Sequence, residues 1–148
     1  MKKKIFLCYD FLSEIGGLEK VMFYTANVLS KEYDVRLVFS YINEEKKAEI
    51  LNNFDLNKNI PIISLRKDKI ESIALIKSFL MPSIINKVRG DLIISHSFLC
   101  SIMGEKQKYK YGTPDIIIMH HPPNFLYSPI GFKKWVNNLP RLLSFILG

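Results

Sequence analysis

Residues 10–21 read Asp-Phe-Leu-Ser-Glu-Ile-Gly-Gly-Leu-Glu-Lys-Val, and the fold turns on how this stretch joins its two neighbours. Before it, residues 5–9 (Ile-Phe-Leu-Cys-Tyr) make an apolar run with the length and flanks of a buried parallel strand. After it, Leu18, Val21, Met22, Thr25, Ala26, Val28 and Leu29 fall on one face of a helix. A strand, a glycine pair and a helix start form a loop that can approach a ligand. Gly16 and Gly17 lack a Cβ, so they can take positive φ and let backbone N–H groups reach a phosphate at the positive end of the helix. The plainer reading is a tight turn: the loop is neither G-x-G-x-x-G nor a P-loop, and the charges of Glu14 and Glu19 oppose a bound anion unless they point away.

A chain of 148 residues is most simply one domain, 1–148, with room for a real core. Its 48% apolar and 24% charged residues match a globular protein and exclude a disordered one. The opening Met-Lys-Lys-Lys and the apolar run after it imitate a secretory leader, but Asp10 cuts the run short and no small-residue cleavage site follows. The most apolar long stretch, 70–88, carries Glu71, Lys77, Pro82 and Lys87, so no spanning helix is expected. Cys8 and Cys100 stand far apart in the chain, have no ligand-type spacing and lie in apolar surroundings. Buried, reduced thiols in a cytoplasmic protein are the expectation. Against 14 acidic residues stand 21 basic ones, a net +7. The lysines are scattered and accompany no nucleic-acid-binding module, so they read as a solvated surface or, functionally, as attraction to anionic head groups or phosphorylated substrates.

Taken in order, residues 35–41 (Val-Arg-Leu-Val-Phe-Ser-Tyr) predict a second strand, making a right-handed βαβ unit with the first. A polar helix over 44–53 has Ala48 and Leu51 as its thin apolar face. A third strand over 60–65 belongs at a sheet edge, because Pro61 cannot donate to a ladder. A broad helical face runs over 70–87 and ends before Gly90. A strand over 91–97 follows, then a short helix over 98–104, a lysine- and tyrosine-bearing loop over 105–112, and a fifth strand over 114–120. Residues 131–148 carry a helical apolar pattern interrupted at Pro140. The alternation predicts the fold class: α/β, a Rossmann-like open parallel sheet of about five strands with helices on both faces.

In such sheets ligands bind beyond the C-terminal ends of the strands, where strand order reverses. Three groups fall there: Gly16 with Gly17, His96, and His120 with His121, and they are expected to share one cleft. His120 and His121 alternate sides unless the strand has already ended, so one of them is structural. Neither cysteine nor any carboxylate pair has a spacing that completes a zinc site, and no metal is expected.

These stretches carry a family likeness. Ile-Gly-Gly-Leu-Glu-Lys-Val at 15–21, the Tyr-Asp-Val-Arg-Leu-Val strand at 33–38, Asp-Leu-Ile-Ile-Ser-His-Ser at 91–97 and His-His-Pro-Pro-Asn-Phe-Leu-Tyr at 120–127 together resemble the N-terminal domain of glycosyltransferase family 4, the retaining GT-B enzymes. The resemblance spans nearly the whole chain. It implies one half of a GT-B fold and transfer of a sugar from a nucleotide-sugar donor to a saccharide or lipid-linked acceptor, with no cofactor or metal. Gly16 and Gly17 inherit the loop that faces donor phosphates and acceptor, and His120 the position beside the transferred sugar. His96, Ser97, His121 and Asn124 line the cleft. Asn124 stands where many members carry Arg, and His121 where they carry a small hydroxyl residue.

The family's donor-binding C-terminal domain has no counterpart in these 148 residues. Three accounts stay open: a piece of a longer enzyme, one subunit of a split transferase completed in trans, or a non-catalytic acceptor-binding module. The isolated chain is expected to be inactive, cytoplasmic, and peripheral at the inner face of a membrane if the basic charge has a lipid partner. A flavodoxin-like domain shares the strand pattern, but the hydroxyl-rich phosphate loop it needs is missing.

Overall fold

The computed structural model describes residues 1–12, 16–66 and 88–119. The helices expected over 70–87 and 131–148, together with His120, His121 and Asn124, lie outside the described residues. The elements are β1 (Lys4–Leu12), α1 (Gly17–Leu29), β2 (Asp34–Ile42), α2 (Glu44–Asn52), β3 (Ile62–Arg66), β4 (Leu92–Ser95), α3 (Phe98–Tyr111) and β5 (Asp115–Ile117). All of them belong to the unit Met1–Ile118.

Every strand pairs in parallel, in the order β3-β2-β1-β4-β5. The pleat divides the central strands between two cores. Ile5 and Leu7 join Val35, Leu37, Phe39 and Ile94 on one face, beneath Met22, Phe23 and Ala26 of α1 and Ile50 of α2. Phe6 and Cys8 join Val38 and Ile93 on the other, against Cys100 and Met103 of α3. The sheet is therefore open and Rossmann-like, with helices on both faces as expected. Phe23 is the main bolt of the first core. Its ring centroid lies 4.9 Å from that of Phe54 and 6.5 Å from that of Phe39, both tilted, the geometry that adds to simple burial.

Three details depart from expectation. The buried side of α1 is Glu19, Met22, Phe23 and Ala26, whereas Val21 and Val28 are each 46% exposed. The inward stripe is thus rotated toward Phe23, whose ring meets those of Phe39 and Phe54. On α2 the fully buried residue is Ile50, not Ala48 or Leu51. α3 does not stop at Gly104 but continues through the stretch expected to be a loop, ending at Gly112 in the left-handed conformation (φ 69°). Gly104 is an interior helix position, where the Asp115 carboxylate occupies the space a Cβ would need. Lys108 and Lys110 in the last turn suit the negative end of the helix.

The edge position expected of β3 is observed, although Pro61 precedes the strand and contributes its carbonyl, which accepts from the Leu37 N–H at 2.9 Å. β5 is shorter than expected, three residues from Asp115. Among the described residues no helix is long and apolar enough to cross a membrane.

Candidate functional site

Strands β1, β2 and β3 step to one side of the sheet, and β4 and β5 to the other, so the order reverses between β1 and β4. A crevice opens at such a point because the connections leave in opposite directions. Here the two strands stay paired to their ends: Cys8 lies opposite Ser95, and the His96 N–H donates to the Cys8 carbonyl at 2.9 Å. Above them stand Tyr9 and Asp10 from β1, His96 and Ser97 just past the end of β4, and the first turns of α1 and α3.

On the α3 side the groups are knitted together. Ser97 caps the helix, its hydroxyl accepting from the Cys100 N–H at 3.3 Å while its own N–H donates to Cys100 Sγ at 3.3 Å. This is a capping box with a thiol in the place usually taken by Glu or Gln. The Cys100 thiol also donates to the Cys8 carbonyl at 3.1 Å, so the two cysteines, distant in sequence, meet in space. Both are free and buried, as expected. Burial pushes the Cys100 thiol up to about 12, with the charge of Asp10 adding and bonds from Ser97 and Ser95 opposing. Cys8 is raised well above its ordinary value, mainly by burial and next by Cys100. Neither thiol is a nucleophile in this setting.

Asp10 is the residue that sequence reasoning passed over. Burial raises its carboxyl from the ordinary 3.8 to about 6, while hydrogen bonds from the Ser97 side chain and the Cys100 backbone pull it back down. Among the described residues its Oδ1 is buried without a hydrogen-bond partner. The signal was available: a single acid ends the apolar run of residues 5–9, at the strand end where ligands bind in this fold class. Asp115, at the start of β5 and so below the rim, accepts from the Ser95 hydroxyl at 2.9 Å, and burial raises its carboxyl too, with Ser95 opposing.

On the α1 side no described side chain caps the helix start. Gly16 is the N-cap with extended backbone (φ −114°, ψ 177°) and no side-chain cap bond. The positive φ expected of this glycine pair does not occur, since Gly112 alone among the described glycines has it. Space, not torsion, is what Gly16 supplies: a Cβ there would lie 2.5 Å from Glu19 Oε2. At Gly17 an added Cβ would meet no atom of the described residues within 4 Å. Glu19 is 9% exposed, and its charge, after burial, is the next cause that lifts the Tyr9 phenol to about 12. Glu19 therefore does not point away from the loop.

Of the sequence-derived site residues, the structure brings Gly16, Gly17, His96 and Ser97 to one rim. Ser97 is partly exposed there, but His96 is only 1% exposed and lies beneath the rim with its ring covered. Among the described residues no three His, Cys, Asp or Glu side chains gather as metal ligands would.

No family model and no curated protein sequence matches the chain. Among solved structures the chain is similar to TcCGT1 in complex with UDP, with a TM-score of 0.56 and 12% identity, over 95% of this chain and 32% of that one. A weaker likeness, TM-score 0.44 and 12% identity, is to the glycotransferase of kitacinnamycin, over 78% of this chain and 30% of that one. The chain thus spans about a third of the length of either structure. At this identity the first likeness speaks to fold, the open parallel Rossmann-like sheet expected for one half of a GT-B fold.

Proposed function

We propose that this chain is the acceptor-side half of a retaining glycosyltransferase, which moves a sugar from a nucleotide-sugar to a saccharide or lipid-linked acceptor without a metal. The observation that carries the reading is the switch point between β1 and β4, with an uncapped glycine start of α1 on one side and the capped start of α3 on the other. A fold likeness to a UDP-bound structure that covers 95% of this chain supports it. In this reading Gly16 and Gly17 face the entering substrates, Ser97 lines the cleft, His96 supports its floor, and His120 stands beside the transferred sugar with His121 and Asn124 near it. Donor binding then depends on a second domain, supplied in cis or in trans.

Sugar transfer by the chain joined to, or mixed with, that donor domain tests the reading. His120→Ala is expected to lower turnover by roughly 10²-fold or more, the size of losing one group that stabilises developing charge, while the thermal midpoint holds. Unchanged turnover removes His120 from the role. Absence of transfer from every nucleotide-sugar, with saccharide binding intact, leaves the non-catalytic acceptor module as the function.

A further inference from the structure

We propose that the end of the sheet opposite the candidate rim is a docking surface for an anionic lipid bilayer, built from basic side chains that the fold gathers from distant parts of the chain. The proposal goes beyond the glycosyl-transfer reading and stands apart from it, since it uses none of the residues at the rim.

Because every strand is parallel, all the strand starts lie at one end of the sheet, together with the last turns of α1 and α3. Hydrogen bonds fix the neighbours there. Lys2 Nζ donates to the Ser30 and Lys31 carbonyls at 3.4 and 3.0 Å, at the close of α1. The Asp34 N–H donates to the Lys3 carbonyl at 2.9 Å, and the Asp91 N–H to that of Lys4 at 2.8 Å. The Thr113 hydroxyl donates to the Gly90 carbonyl at 3.2 Å, and the Arg89 guanidinium lies 4.7 Å from the centre of the Tyr111 ring in the last turn of α3. Basic residues scattered along the sequence are thereby brought to one end of the molecule.

Lys2, Lys3, Lys31, Arg89, Lys108 and Lys110 are all exposed at this end. Among the described residues the ion pairs are Arg36–Asp34 and Lys47–Glu44, and neither involves Lys3, Lys31, Arg89 or Lys108. The exposed acids between them are Glu32 and Asp91, and the Asp91 carboxylate already accepts from the Lys4 N–H at 2.7 Å. The turn before β3 adds Asp55 and Lys58, which offset each other. A net positive charge therefore remains at this end, whereas α2, which starts at the rim, carries two lysines against three glutamates. Fixed cations supplied by several segments suit an extended anionic surface. Tyr109, 91% exposed between Lys108 and Lys110, has the apolar ring and polar tip of a side chain that settles at head-group level. A nucleic-acid strand needs successive rings on which to stack its bases, and the next ring, Tyr111, already has Arg89 and Lys110 against it. With the bilayer at this end, the rim stands roughly 30 Å away, the length of the nine-residue β1, turned toward the aqueous side.

The test is co-sedimentation of the 148-residue chain with vesicles, one set of phosphatidylcholine alone and one of equal parts phosphatidylcholine and phosphatidylglycerol, at low and at high salt. Binding is expected to the anionic vesicles only, and it should fall as salt screens the lysines. Two double variants of equal net charge then locate the surface. Lys3→Gln with Lys108→Gln should weaken binding roughly twentyfold, about fivefold for each lysine removed from the surface. Lys20→Gln with Lys47→Gln, which removes the same charge away from this end, should change it less than about twofold. Equal weakening by the two pairs would assign the attraction to overall charge and overturn the proposal. Equal binding to neutral vesicles overturns it as well, as does failure of the wild-type chain to bind anionic vesicles at low salt. Binding to a single-stranded oligonucleotide but not to vesicles would put a nucleic acid in the bilayer's place.

Discussion

Two helices begin at the same rim of the sheet and solve the same problem in opposite ways. The first N–H groups of any helix lack partners within it. α3 meets this internally: Ser97 and Cys100 bond each other reciprocally, and Asp10 accepts from both. α1 begins at Gly16 without a side-chain cap, and the nearby Glu19 carboxylate has no partner of its own among the described residues. A start that is satisfied from within has little left for a ligand. One that begins without a side-chain cap, next to Gly17 whose added Cβ would meet no described atom, keeps those groups to offer.

The contrast can be broken most forcefully at Asp10. Its folded value of about 6 exceeds the ordinary 3.8, so the fold favours the neutral acid. The resulting penalty is absent below pH 4, grows between pH 4 and 6, and is complete above that. Asp10→Asn should therefore stabilise the chain by roughly 2–3 kcal/mol at pH 7 and hardly at all at pH 3.5. Denaturant unfolding at the two pH values checks this, and an equal effect at both would show that Asp10 is not strained by ionisation. Next in size, Ser97→Ala opens the α3 start and should cost about 1 kcal/mol, the usual worth of an N-cap. It also strips a bond from Asp10, so the carboxyl should titrate higher still by NMR. Smallest is the glycine pair: Gly17→Ala should change stability by no more than about 0.5 kcal/mol, since its Cβ meets nothing. Gly16→Ala should lose more, because Glu19 must move. Equal thermal midpoints for the two variants would mean that the carboxylate does not lie where the structure has it.

Much of the fold was legible along the chain. Residues 5–9 of β1 and 37–39 of β2 are apolar runs, as strands buried on both faces must be, and Pro61 pointed to an edge. Gly104 misled for a physical reason. Glycine commonly ends helices, but here it makes room for an Asp115 carboxylate that arrives from the next strand. The face of α1 was misjudged because spacing alone does not show that the Phe23 ring meets, at a tilt, those of Phe39 and Phe54. At the candidate site, the rim and the glycine loop were readable from element order. The position of Asp10 was readable too, but its raised carboxyl was not, since that depends on burial and on Ser97 and Cys100 brought in from another segment.

By itself the sequence determined the alternation of strands and helices, the parallel sheet that follows from it, and the burial of both thiols, because periodicity and length are local properties. Only the tertiary structure decided that Cys100 would bond the carbonyl of Cys8, that Asp10 would sit under the cap of α3, and that Glu19 would turn back over Gly16. Burial and pairing are properties of neighbours in space. For Cys8 and Cys100, separated by 92 residues, those neighbours exist only once β1 and β4 have paired.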